Sequence, residues 1–303
     1  MNCQWVLNMS NKLKCFIISG FFLAALSTGC VNPAAYENSE TLIFSTVTTA
    51  ELTPMIVNTS LPTATIPQVT TEPVITPDNS LLRICSPFKG FSYEKLTEAV
   101  SNQYTAPPPG SDDPHEGVDL AVMDNQRIGY AGEEVHAVTN GRVAGVIKDR
   151  FPYGNAIFIE TPYNFIDESI AADLGLPVLT FAPPNYAPLF CPGDSLNYFQ
   201  DPDGEQSLYL VYAHLLDSPE INVGDVVECG DIIGRVGSTG NALNPHLHLE
   251  VRTGPTGQVF DSMAHYENSA SLEEMGAYCS WRISGTFQLM DPMKLLKWIG
   301  EAE

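Results

Sequence analysis

The stretch Pro245-His246-Leu247-His248-Leu249-Glu250-Val251-Arg252 decides the fold. Successive side chains of a β-strand point to opposite faces. Alternation sends Leu247 and Leu249 into a core and puts His246, His248 and Glu250 together on the other face. A strand of this kind belongs to an antiparallel sheet rather than to a parallel one buried on both faces.

Working outward, further strands are expected at 115–123, 134–138, 141–148, 156–160, 208–215 and 231–236. Turn residues such as Thr139-Asn140-Gly141, Tyr153-Gly154-Asn155 and Glu228-Cys229-Gly230 break these β-branched runs. The fold class is therefore mainly β, a small antiparallel sheet domain. Residues 92–101 read as a helix with Ser92 as N-cap. The C-terminal end carries two more helices. One opens with a capping box, Ser271 with Glu274; the other has Asp291 as N-cap and Pro292 at its first position.

One connection is too long for a compact domain. Residues 161–207 hold no Lys or Arg and several prolines, and a loop of that length is either functional or structured in itself. Within it, 166–174 reads as a short helix closed by Gly175.

Before this domain the texture differs. Lys12 and Lys14 precede an apolar run, Phe16 to Leu26, with the length of a signal h-region. The run ends in Leu26-Ser27-Thr28-Gly29-Cys30, which resembles a bacterial lipoprotein signal and makes Cys30 the lipidated residue. We therefore expect a signal segment at 1–29 and attachment to the membrane through lipid on Cys30. Residues 30–80 read as a tether: Thr and Pro fill 16 of the 40 positions from Thr41 to Ser80, a composition that favours extended chain. The folded domain is then 81–303, with a core at 115–252 and the insertion at 161–207. Its expected location is extracytoplasmic.

Composition narrows the partners. A formal net charge of −22 argues against nucleic acid and against docking on anionic lipid, both of which ask for basic stripes. We expect a monomer and no nucleic acid. Of the seven cysteines, Cys3 and Cys15 leave with the signal and Cys30 takes the lipid. Cys85, Cys191, Cys229 and Cys279 remain, an even number for an oxidising compartment, with three pairings possible.

The chemistry lies in three phrases: His115-Glu116-Gly117-Val118-Asp119, Tyr212-Ala213-His214-Leu215 and His246-Leu247-His248. If the first is extended, His115, Gly117 and Asp119 share a face, and the glycine leaves room for a metal. His214 is expected on the face of Tyr212 and Leu210. A catalytic zinc takes three protein ligands and keeps a position for water. Five candidates for three places leave two histidines as general acid or base; spacing does not say which two. Polar clusters on apolar strands are unfavourable without a ligand. Glu250 is either a partner orienting an imidazole or a solvated strand-end acid. His136 lies in a strand outside these phrases and is left out of the site, and His265, outside every motif, reads as a surface or packing residue.

With the phrases in this order, the chain resembles the lysostaphin-like, LytM-type zinc endopeptidases that cut the peptide part of peptidoglycan. The resemblance runs through 115–121, 132–143, 212–215 and 234–251, with Asp291-Pro292 at the close. It implies that His115, Asp119 and His248 bind zinc and that His214 and His246 are catalytic. It also implies a small antiparallel β-domain with a groove across the site, and peptidoglycan peptide as substrate. Two other readings are a regulator of wall hydrolases without activity, which the five intact positions oppose, and a zinc peptidase for protein substrates.

Overall fold

The computed structural model describes residues 83–108, 110–123, 129–176, 191–192 and 204–300. The signal segment, the tether, Cys30 and most of the second half of the insertion lie outside the described residues.

Helix α1 (Tyr93–Ala99) starts where Ser92 accepts the Lys95 N–H. It is shorter than the sequence suggests, because Val100 turns extended and the chain enters strand β1 (Val100–Asn102). Strand β2 (Val118–Leu120) follows, then β3 (Glu134–His136), β4 (Gly141–Arg150) and β5 (Gly154–Pro162). Asp167 caps helix α2 (Glu168–Leu174) through the Ser169 N–H, and Gly175 ends it at φ 74°. Strand β6 (Gln206–Ala213) leads to β7 (Val226–Val227), β8 (Ile232–Arg235) and β9 (Leu247–Pro255). Helix α3 (Leu272–Arg282) carries the expected capping box, strand β10 (Gln288–Met290) comes next, and Asp291 caps α4 (Pro292–Leu296).

Among the described residues the strands pair antiparallel throughout, and one isolated bridge, Gly145 to Phe260, is parallel. The main sheet runs β1-β2-β9-β6-β5-β4-β7, with β10 also on β9, while β3 and β8 form a separate pair. Eight pairs join β6 to β9, from Gln206↔Pro255 to Ala213↔His248. Residues directly opposite share a face, so this register sorts the interior. Leu208, Leu210 and Tyr212 join Leu247, Leu249 and Val251 in one apolar cluster, with Ile157 and Ile159 from β5.

The opposite face is not open to water. Tyr209, Val211 and Ala213 pack with Phe158, Phe260, Phe287 and the α3 residues Ala277, Tyr278, Cys279 and Trp281. Helix α3 thus covers the side of β9 that carries His248, Glu250 and Arg252. A sheet read from alternation as half-solvated is buried on both sides at its centre, because the C-terminal segment folds back over it.

The four cysteines form two disulfides, Cys85–Cys229 and Cys191–Cys279. The second ties the insertion to the covering helix.

Candidate metal and catalytic site

His115 lies just before β2, held by a bridge between Thr105 and His115, and the two residues after it bend. The phrase is therefore not one extended strand. Its polar residues still converge: His115 Nε2 lies 3.1 Å from Asp119 Oδ1. The register Asp119↔His248 then sets the second ligand-bearing strand opposite the first, with His248 Nδ1 2.8 Å from the same Oδ1. The donor atoms of His115, Asp119 and His248 all fall within 4.8 Å of one another.

Each imidazole is presented by a fixed tautomer. A carbonyl accepts only, so His115 Nδ1 donates to Gln103 O at 2.9 Å and leaves Nε2 for the cluster. His248 reverses this. Its Nε2 donates to Glu250 Oε1 at 3.1 Å and its Nδ1 faces Asp119. Two imidazole nitrogens and one carboxylate aimed at one point are a donor set that fits zinc, the ion taking the place of the protons these nitrogens otherwise direct at Asp119.

Gly117 has a different purpose from the one expected. A Cβ there would sit 2.5 Å from Leu249 O and 2.8 Å from His248 Cε1. The missing side chain makes room for the His248 ring and the β9 backbone rather than for a metal.

His214 departs from the expectation in a telling way. Strict alternation would put it on the Tyr212 and Leu210 face, inside the first apolar cluster. Strand β6 ends at Ala213, and His214 takes φ 61°, the left-handed region that side chains disfavour by roughly 1–2 kcal/mol. The turn brings its ring to 4.9 Å from His246 and 5.5 Å from His248. Its Nδ1 donates to Thr239 O at 2.8 Å, supplied by the glycine-flanked loop before β9. His246 likewise donates from Nδ1 to Asn244 O at 2.8 Å, and its Nε2 is 3.4 Å from Asp119 Oδ1. Both rings thus keep Nε2 for the groove.

The electrostatics separate these groups. Burial, with His248 and His246 nearby, pushes His214 down to about 3, so it is a neutral imidazole over the ordinary pH range. Burial also opposes a charge on His248, but hydrogen bonds to Asp119 and Glu250 outweigh it and raise the group to about 9. Asp119 is held well below the usual carboxylate range: burial opposes this, and the His115 and His248 hydrogen bonds overcome it.

Behind the donors stands a charged network that sequence patterning did not reveal. Glu116, Glu250 and Arg252 are all buried. Arg252 donates from Nε to Glu250 Oε2 at 3.0 Å and from the other end to Glu116, which also pairs with Arg282 of α3. Tyr153 donates to Glu250 Oε1 at 2.8 Å and accepts the Trp281 indole N–H at 3.0 Å. The residue after one donor, Glu116, is thereby tied to the partner of another, Glu250. Of the two readings of Glu250, the orienting one holds. The signal that could have revealed the network was Arg252, on the same strand face as His248 and Glu250.

His136 stays apart, as expected: its Nδ1 bonds Gly230 O at 2.7 Å in the β3–β8 pair. His265 is buried and stacks on Tyr278 at 4.8 Å. Cys191, His265 and Cys279 also lie close together, but both thiols are spent in a disulfide.

The five candidate residues open into one groove of about 800 Å³, lined also by Asp112, Asp113, Met123, Phe151, Leu243, Tyr266, Tyr278 and Arg282. Residues 200–262 match Peptidase family M23. That segment is M23-like. The matched segment contains His214, His246 and His248, three of the five site residues. M23 peptidases are zinc-dependent hydrolases, in accord with the donor set.

Solved structures similar to this chain include the catalytic domain of lysostaphin from Staphylococcus simulans. It is 22% identical, with 68% of this chain and 98% of that chain covered and a TM-score of 0.34. The catalytic domain of the prophage-encoded M23 protein EnpA from Enterococcus faecalis is 23% identical, covering 53% and 85%, with a TM-score of 0.30. A Pseudomonas aeruginosa protein described as an M23 peptidase is 22% identical, covering 50% of this chain and 42% of its own, with a TM-score of 0.27. This chain thus spans less than half the length of the Pseudomonas protein.

Proposed function

We propose that the chain is a membrane-tethered, extracytoplasmic zinc endopeptidase that hydrolyses peptide bonds in peptidoglycan stem peptides or cross-bridges. The observation that carries this reading is the convergence of three donor atoms and two further imidazoles on one groove, in an M23-type domain.

His115, Asp119 and His248 would hold the ion. Zinc bound there supplies a water acidified toward neutral pH and a Lewis acid for the scissile carbonyl. The rest falls to the chain's own residues. His214 and His246 carry tautomers set by Thr239 and Asn244, so each offers Nε2 to substrate. One can take the proton of the attacking water while the other hydrogen-bonds the developing oxyanion or protonates the leaving amine. Glu250, Arg252 and Glu116 hold the His248 ring in place, so little reorganisation accompanies the reaction.

The test is mass spectrometry of fragments released from purified peptidoglycan by the zinc-loaded chain, with His246→Ala as control. New peptide termini made only by the unaltered protein establish the activity and name the bond. Absence of such termini, with zinc bound, removes peptidoglycan as substrate. Tethering is tested separately. Cys30→Ala should move the protein from the membrane to the soluble fraction, and unchanged fractionation would refute lipid attachment at that cysteine.

A further inference from the structure

Beyond the histidines, one wall of the groove is built by residues that neither the donor cluster nor the catalytic pair requires. Asp112 stands three residues before His115. Its Oδ2 accepts the hydroxyl of Tyr278 at 2.5 Å and that of Tyr266 at 3.1 Å. Tyr278 belongs to α3 and is buried, whereas Tyr266 is 55% exposed and lines the groove. Two phenols from the C-terminal segment therefore fix one carboxylate beside an open aromatic ring.

The charges around it do not cancel its own. Arg282 is the only arginine or lysine among the described residues lining the groove, and the one raised histidine, His248, is matched by Asp119 and Glu250. It reaches Asp112 through the backbone carbonyl, at 3.2 Å, and its charge is met by Glu116. Arg252 is met by Glu250 and Glu116, so one buried and one half-buried arginine face two buried glutamates. Asp112 and Asp113 remain as the net charge of this wall. The chain's −22 adds a background of the same sign, which draws cations toward the groove and repels anions.

We propose that Asp112 and the ring of Tyr266 form a substrate subsite for a primary ammonium group. A fixed carboxylate accepts its N–H donors, and an exposed aromatic face attracts the same cation. The proposal rests on the peptidase reading and adds to it a specificity: the preferred peptide carries an amine near the bond that is cut. A side-chain amine and a chain-terminal amine share this chemistry, and the experiment separates them.

The probes are hexaglycine amides. One set carries a single lysine walked through the six positions, each made with a free and with an acetylated ε-amine on an acetylated terminus. One further all-glycine pair has a free or an acetylated N-terminus. Binding is read by calorimetry on the full zinc-loaded chain carrying His214→Ala, so that the subsite is measured whether or not a bond is cut. At least one free peptide should bind roughly fivefold or more tightly than its acetylated twin. A lysine pair would assign the side chain, and the terminal pair the α-amine.

With Asp112→Asn added, the preference should vanish while affinity for the acetylated peptide stays the same. Equal affinity within every pair, no binding at all, or a preference that survives Asp112→Asn would overturn the proposal. Should Asp112→Asn lose zinc or fold poorly, Tyr266→Ala replaces it; it is expected to weaken the preference, and an unchanged preference overturns the ring's part. An ammonium preference in a protein that cuts no peptidoglycan would remove peptidoglycan as substrate and leave the subsite standing.

Discussion

His248 Nε2 donates to Glu250 Oε1 at 3.1 Å, and this one bond decides which nitrogen of His248 faces Asp119. Removing it should loosen the metal without touching a ligand. Glu250→Gln retains the size and a hydrogen-bonding oxygen but drops the charge that both Arg252 and His248 use. Zinc affinity is expected to fall about 10- to 100-fold, the usual effect of losing such a partner. Chelator competition on wild type and variant checks this, and equal dissociation constants would refute the orienting role.

The two histidines of the His-Leu-His phrase should respond differently to the same substitution. His248 contributes a donor to the three-atom cluster, whereas His246 stands outside it with its Nε2 3.4 Å from Asp119. His248→Ala is expected to lose both zinc and turnover. His246→Ala should retain zinc at one ion per chain and lose turnover by about 100-fold or more. Metal analysis and fragment release on both proteins decide it; matching behaviour in the two would reverse the assignment.

How far the sequence reaches is clearest from His214. Its presence in the site was legible, because the phrase around it sits in order with the two others. Its direction was not: alternation points it into the apolar cluster, and only a left-handed residue after Ala213 turns it to the groove. Local period describes strands and stops where they end. The same limit hid the Glu116–Arg252–Arg282 network, which depends on α3 returning over the sheet, a contact between residues 116 and 282 that no local pattern encodes. Caps were readable to the residue, as at Ser271 and Asp291, since they depend only on neighbours within one turn. Disulfide pairing is long-range, with Cys85 and Cys229 separated by 144 positions, and had to await the structure.

Gly117 tests how tightly the ligand strands approach. A methyl group there would press on the Leu249 carbonyl, at 2.5 Å, and on His248 Cε1, at 2.8 Å. Backbone cannot yield cheaply, so the ring must move. Gly117→Ala should lower stability by about 1–3 kcal/mol, the usual range for overpacking, and weaken zinc binding as well. Thermal melts with and without zinc measure both. A variant with wild-type melting temperature and wild-type zinc affinity would show that β2 and β9 can separate there freely.

The acid side of the stability profile should depend on Arg150 and Glu274, which join β4 to α3. Arg150 donates to Glu274 at 2.9 Å from Nε and 2.6 Å from NH2. The carboxylate also accepts the Ser271 N–H as half of the capping box. Partial burial works against the charged form, but these bonds outweigh it and lower the carboxyl from 4.5 to about 2. A group depressed by folding binds fewer protons in the native state than in the unfolded one. Its stabilisation is therefore complete above about pH 4.5 and disappears as the pH falls toward 2. Glu274→Gln should melt below wild type at pH 7, and the gap should narrow at pH 3. Denaturant titrations at the two pH values measure that gap; a difference that stays constant would mean that the contact stabilises through packing rather than charge.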